Sequence, residues 1–409
     1  MKNRIVNNTI SLYAMNIAKM VLPLITLPYL TRVLSKDCYG VVSFVKATMQ
    51  YMQLIIDFGF LLSGTKAIVK ARETKEELEI ETGNILIARI LLGLLAGIIL
   101  LILTPFIEIL REYFLYTTLS FVAVFLTCFL FDYLFRGLEK MHIITIRFVV
   151  MKAISAVLTF VLVRSDADLF LIPVLDIIGT VIAIFLVLVE IKKLNIKIRC
   201  TGLTQVFNKI KESAVYFISE FATTAFGALN TIVIGIYATK SQIADWSLCM
   251  QLVIAVQSMY TPITNGIYPE MVKSKNFNIV KKTLKIFVPL IACGCIFTFF
   301  IAKYALVIVG GAQYASAAPV LRSLIPVMFF GFLSMMFGWP TLGAIGKERA
   351  TTKTTVISAL VQIVAMLTLI PINKFALVNI ALTRGLTEML MFLLRYRYYN
   401  IYKKEFVNL

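Results

Sequence analysis

The sequence predicts an all-α integral membrane protein with about 12 transmembrane helices in two six-helix halves. Three observations carry that expectation. Of 409 residues, 59% are hydrophobic and only 15% charged, more apolar surface than a soluble core of this size encloses. Apolar stretches of about 20 residues, the length that crosses a bilayer, follow one another almost end to end. The cations between them fall preferentially on alternate sides.

The first six stretches lie near 8–31, 40–62, 84–106, 113–135, 142–163 and 168–189. A second six lie near 213–237, 244–267, 284–308, 321–345, 351–371 and 375–395. With the N-terminus inside, the inner segments hold 26 Lys and Arg and the outer loops eight, as the positive-inside rule requires. Both termini are then cytoplasmic. The outer loops are short, which leaves no room for an external catalytic domain. The inner 66–83 segment mixes Lys, Arg and Glu and reads as a surface helix.

The longest and most basic inner segment divides the chain. It gives an N-terminal lobe over 1–190, a cytoplasmic linker over 191–212, a C-terminal lobe over 213–395 and a tail over 396–409. A weak internal repeat agrees with this division. Leu34-Ser35-Lys36-Asp37 after the first span is echoed by Ala238-Thr239-Lys240-Ser241 after the seventh. Ala67-Ile68-Val69-Lys70 is echoed by Glu270-Met271-Val272-Lys273, and both pairs are offset by 203–204 residues.

The net charge of +18 belongs to loops beside anionic lipids rather than to nucleic acid. One histidine, His142, and six cysteines without metal-type spacing leave neither a metal site nor a cofactor to expect. Gly343-Ala344-Ile345-Gly346-Lys347-Glu348 lacks the first glycine and the Ser/Thr of a phosphate loop. Without a Walker motif, transport would draw on an ion or substrate gradient. No catalytic constellation is present.

Charges inside the spans are therefore the informative residues, because a charge in hydrocarbon costs about 2.5–3.5 kcal/mol on insertion scales. Apart from residues at span ends and those counted with the loops, six cations (Lys19, Lys46, Arg89, Arg147, Lys152, Arg384) and five anions (Asp57, Asp132, Asp176, Glu220, Glu388) lie there. Arg89, Arg147, Asp57 and Asp132 lie near the cytoplasmic boundary, where snorkelling or pairing accounts for them. Lys19, Lys152 and Asp176 lie nearer mid-depth, and Lys46 in the outer part of its span. Lys19, Lys46, Lys152 and Arg147 are the candidate substrate-binding residues. Arg147 and Lys152, five residues apart, lie about 140° apart on a helix and need not share a wall. Asp57, Asp132, Asp176, Glu220, Arg384 and Glu388 are candidates for ion coupling or ion pairing, and Arg384 and Glu388 share one face. The first half holds five of the six cations, so a cavity it lines would attract an anionic headgroup. Prolines at 23, 28, 173, 262, 326 and 340 permit kinks.

Several stretches resemble one family. They are Asn8-Thr9-Ile10-Ser11-Leu12-Tyr13, Pro23-Leu24-Ile25-Thr26-Leu27-Pro28-Tyr29-Leu30-Thr31-Arg32-Val33-Leu34, Tyr39-Gly40-Val41-Val42-Ser43-Phe44 and Asp57-Phe58-Gly59-Phe60. In the second half they are Ile267-Tyr268-Pro269-Glu270-Met271, Gly310-Gly311-Ala312-Gln313-Tyr314-Ala315 and Ala317-Ala318-Pro319-Val320-Leu321-Arg322. Together they look like Wzx-like O-antigen or capsule-unit flippases of the multidrug/oligosaccharidyl-lipid/polysaccharide (MOP) exporter superfamily. The resemblance implies two pseudo-symmetric six-helix lobes around a central cavity, working by alternating access in the bacterial inner membrane. It implies an undecaprenyl-diphosphate-linked oligosaccharide as substrate, moved from the cytoplasmic to the periplasmic leaflet. Membrane lipids, H+ or Na+ as coupling ion and polysaccharide assembly proteins are the implied partners. The resemblance also implies an acidic residue in the seventh span where this chain carries Asn230, a departure that bears on the ion-coupling site. A lipid II-type flippase, a drug/cation antiporter of the same superfamily and a membrane polymerase or acyltransferase remain as alternatives.

Overall fold

A computed structural model describes residues 2–407, and side chains from Ala14 onward apart from Ser219, Ala222, Thr223, Ala225 and Phe226. The Asn8–Tyr13 stretch enters only through its backbone. Contacts divide the chain into two compact units, Met1–Thr224 with Ile232–Tyr237 and Ala225–Thr231 with Ala238–Leu409. The described residues are helical almost throughout, and their one β-bridge joins Asn276 to Val407.

The first unit holds α1 (Lys2–Val33), α2 (Lys36–Asp57), α3 (Phe60–Ala71), α4 (Lys75–Leu103), α5 (Glu108–Glu112) and α6 (Phe114–Leu126). It continues with α7 (Asp132–Gly137), α8 (Met141–Leu162), α9 (Leu171–Lys193) and most of α10 (Leu203–Tyr237). The second unit holds α11 (Lys240–Ser258), α12 (Tyr260–Ser274), α13 (Phe277–Gly310) and α14 (Ala318–Ser323). There follow α15 (Ile325–Met336), α16 (Glu348–Leu369) and α17 (Leu377–Tyr402).

Ten helical segments among the described residues are long and apolar enough to cross a membrane. They coincide with ten of the twelve expected spans. The other two, the seventh and eighth, are also helical, the seventh including residues whose side chains are not described and the eighth being more polar. Among the described residues of α10, Gly227–Tyr237 forms an apolar helix. Gln242, Asp245, Gln251, Gln257 and Asn265 dilute α11 and α12, which are interrupted at Met259.

The repeat seen in sequence reappears as a shared helix start. The Ser35 hydroxyl caps α2 by accepting from the Cys38 N–H, and Thr239 caps α11 in a reciprocal box with Gln242. Each cap satisfies amides that the first helical turn leaves without partners.

Two expected spans are broken rather than continuous. The second stops at Asp57 because Phe58 and Gly59 both take left-handed backbone angles, φ 38° and 76°. A Cβ on Gly59 would sit 2.6 Å from the Cβ of Tyr216, so only glycine admits the close approach of α10. In the fourth span a 3-10 turn (Thr127–Leu130) leads to Phe131 at φ 51°, and α7 starts at Asp132. The surface helix expected over 66–83 is absent as a separate element. Residues 66–71 end α3, and α4 begins after only three intervening residues. Three of the prolines expected to kink helices (Pro173, Pro262 and Pro326) instead stand in a first turn, where the missing N–H has no partner to lose. Pro340 does lie at a break, the wide-turn segment Phe337–Leu342 with non-helical Gly338.

The core of the first unit gathers Phe60, Ile68, Ile85, Phe131, Tyr133 and Phe135. Residues 194–202 run against α4. Glu79 binds Arg199 through its side chain at 3.0 Å and through its carbonyl, which accepts the Arg199 N–H at 3.3 Å. A methyl on Gly83 would lie 1.9 Å from the Arg199 carbonyl oxygen. In the second unit, rings of Phe277, Phe337, Tyr399 and Phe406 pack together.

Candidate functional site

A cavity of about 500 Å³ opens within the first unit, between α1, α2, α6, α8 and α9. Small-ligand sites span about 300–1,000 Å³. Its walls are largely apolar, yet they carry four charges, Lys19, Lys46, Lys152 and Asp176. The sign is net positive.

Packing between helices sets these positions. The Tyr29 hydroxyl donates to the carbonyl oxygens of Phe160 and Val163, at 2.9 and 2.7 Å, and fixes α1 along α8. That contact brings the Lys19 ammonium over the Phe148 ring, 5.4 Å from its centroid, a cation–π contact. Gly179 lets α9 approach the α8 backbone at Met151. Three residues earlier on α9, one oxygen of Asp176 accepts from Lys152 Nζ at 3.2 Å and from Ser155 Oγ at 2.9 Å. Lys152 and Ser155, three apart on α8, share the face toward α9. Gln50, Gln53 and Thr127 add neutral hydrogen-bonding groups to the wall.

Of the four candidate substrate-binding residues, Lys19, Lys46 and Lys152 line the cavity and Arg147 does not. Arg147 is buried and forms an ion pair with Asp132 at the start of α7. Arg89 pairs with Asp57 at 2.7 Å and also donates to the Cys128 carbonyl at 3.2 Å. Gln53 links the cavity wall to that pair, donating to Asp57 at 2.9 Å and accepting from Thr127 at 3.1 Å. Both guanidiniums are thus taken up by carboxylates that stand at helix breaks. Glu220, on α10, lies beside the Gly59 N–H.

The second unit holds its own buried polar set. Arg384 and Glu388 pair along one helix face at 3.0 Å, and Ser334 donates to Glu388 at 3.0 Å. Arg395, at the end of the twelfth expected span, is buried. It donates to the Ser334 carbonyl at 2.6 Å and to the hydroxyls of Thr354 and Thr355. Its place at the end of an apolar window hid it. Asn230 accepts from Gln362 at 2.9 Å, and Gln362 accepts from Thr387 at 2.7 Å. The amide at position 230 therefore sits in a neutral hydrogen-bonded chain.

Ten long apolar helices among the described residues define a polytopic membrane protein, and its first unit encloses a cavity that carries charged side chains. A family model for "Polysaccharide biosynthesis protein" matches residues 5–275, and the chain belongs to that family. Two relatives carry the name "Putative O-antigen transporter". One, from Shigella dysenteriae, is 26% identical over 366 residues, covering 87% of this chain and 90% of its own. The other, from Escherichia coli strain K12, is 25% identical over 399 residues, covering 94% of each. Among solved structures, the lipid II flippase MurJ in its inward closed conformation superposes with a TM-score of 0.74 at 12% identity, covering 97% of this chain and 87% of that one. An inward-facing multidrug-resistance MATE family transporter of the MOP superfamily gives 0.64 at 12% identity, covering 94% and 98%. The chain shares its fold with these solved structures.

Proposed function

We propose that the protein flips an undecaprenyl-diphosphate-linked oligosaccharide, an O-antigen or capsule repeat unit, from the cytoplasmic to the periplasmic leaflet. The convergence of Lys19, Lys46 and Lys152 on one intramembrane cavity carries this reading. Three ammonium groups against one carboxylate suit a doubly charged headgroup and disfavour a cationic drug. The two other carboxylates of these spans, Asp57 and Asp132, are engaged by arginines. The names of the two relatives and the fold shared with MurJ favour a lipid-linked glycan. The cavity suits the diphosphate, with lipid and glycan extending beyond it.

The loop charges favour an inner-membrane protein with both termini in the cytoplasm. Alternating access driven by an H+ or Na+ gradient completes the scheme, since the sequence has no nucleotide-binding motif. Glycan display in a strain lacking the transporter tests it. Lys19→Ala, Lys46→Ala and Lys152→Ala are expected to abolish display at normal protein level, while Lys→Arg at the same positions keeps part of it. Unchanged display in all three alanine variants would overturn the assignment.

A further inference from the structure

We propose that Asp176 is the cavity's built-in counter-anion, which the incoming diphosphate displaces from Lys152 and which reclaims Lys152 as the headgroup leaves. The inference rests on the headgroup assignment above. An ammonium within a membrane-spanning segment is costly and is favoured by an anionic partner in the resting protein. Asp176 supplies it to Lys152, and Ser155 anchors the carboxylate in that position. Lys46 lies within electrostatic reach of both members of the pair. A diphosphate meets three ammonium groups at once, whereas Asp176 engages one, so the ligand wins while it is present.

The exchange weakens net binding, because part of each new contact replaces an old one. A transporter needs that. A site that binds its cargo too well does not release it. Asp176 thus sets affinity without touching cargo, through the availability of Lys152.

The test is binding of farnesyl diphosphate to the purified full-length protein in detergent. Asp176→Asn keeps the shape and an oxygen for Ser155 but frees Lys152. It is expected to tighten binding roughly fivefold, the size of a half-exposed ion pair, mostly through slower dissociation. Ser155→Ala leaves every charge in place and only loosens the anchored carboxylate. It is expected to tighten binding by a smaller factor, and glycan display by D176N cells to slow as release slows.

Equal affinity of wild type and D176N overturns the counter-anion role and leaves the headgroup assignment standing. Tightening in D176N with none in S155A also overturns it, because the effect is then only the cavity's overall charge. Absence of binding in the wild type removes the headgroup assignment itself.

Discussion

A methyl group on Gly179 would sit 2.6 Å from the carbonyl oxygen of Met151, so the crossing of α9 over α8 depends on a hydrogen atom at that position. The same crossing carries Asp176 to Lys152. Gly179→Ala is expected to destabilise the protein by about 1–3 kcal/mol, the usual cost of overpacking. Thermal unfolding in detergent should show a clearly lower midpoint. Gly294→Ala is the matched control: an added methyl there meets nothing within 4 Å, and the midpoint should hold or rise slightly.

Removing one member of a buried ion pair leaves the other uncompensated, at about 3–5 kcal/mol. Asp132→Asn strands Arg147, which is only 3% exposed. We expect D132N to accumulate poorly and to aggregate on size-exclusion chromatography. The double variant D132N/R147M, which removes both charges, should recover much of the folded peak. No recovery would mean that Asp132 matters for more than its partner.

Phe406 closes the aromatic group of the second unit, with its ring 5.5 Å from Phe277 and 5.7 Å from Tyr399. Lys347 bridges to the same C-terminal turn through Glu405 at 3.0 Å. Phe406→Ala is expected to cost about 3 kcal/mol, at the lower edge of buried Phe truncations. Lys347→Ala, at a partly exposed pair, should change the unfolding midpoint little.

Asp166 lies outside the spans and accepts the Ser35 N–H at 2.8 Å, joining the start of α2 to the loop before α9. Partial burial works to raise its pKa, but hydrogen bonds from Ser35 and Cys38 outweigh it and hold the carboxyl below the usual range. A depressed folded-state pKa adds stability above the unfolded value of about 3.9, and that stability is lost as pH falls through the folded pKa. Asp166→Asn should therefore lower the unfolding midpoint at pH 7, and the gap to wild type should close as the pH drops below about 4. A gap independent of pH would contradict this role.

Hydropathy and loop charge made most of the helices legible, because burial in lipid imposes one rule on every span. The breaks at Phe58 and Phe131 were not legible. Both residues are apolar, and a left-handed backbone at a phenylalanine leaves no trace in hydropathy. The Arg384–Glu388 pair was readable from its spacing of four. Asp57–Arg89 and Asp132–Arg147 were not, since each joins different helices and depends on which ones are neighbours. Lys19 and Lys152 stood out because an ammonium at mid-depth reaches neither interface with ease. Arg147 matches the cavity lysines in sign and lobe alone, and the 140° that separates it from Lys152 along α8 turns it toward α7 instead.

Arg89 and Arg147 are locked to carboxylates, while the cations open to the cavity are all lysines. A guanidinium offers a rigid fork that dictates how a phosphate must sit, whereas an ammonium on a flexible stem imposes no orientation. A clasp of lysines therefore reads how much charge arrives and is indifferent to its pose. Such a clasp is portable in evolution. On the function proposed above, it could be kept unchanged while the sugar beyond the diphosphate varies.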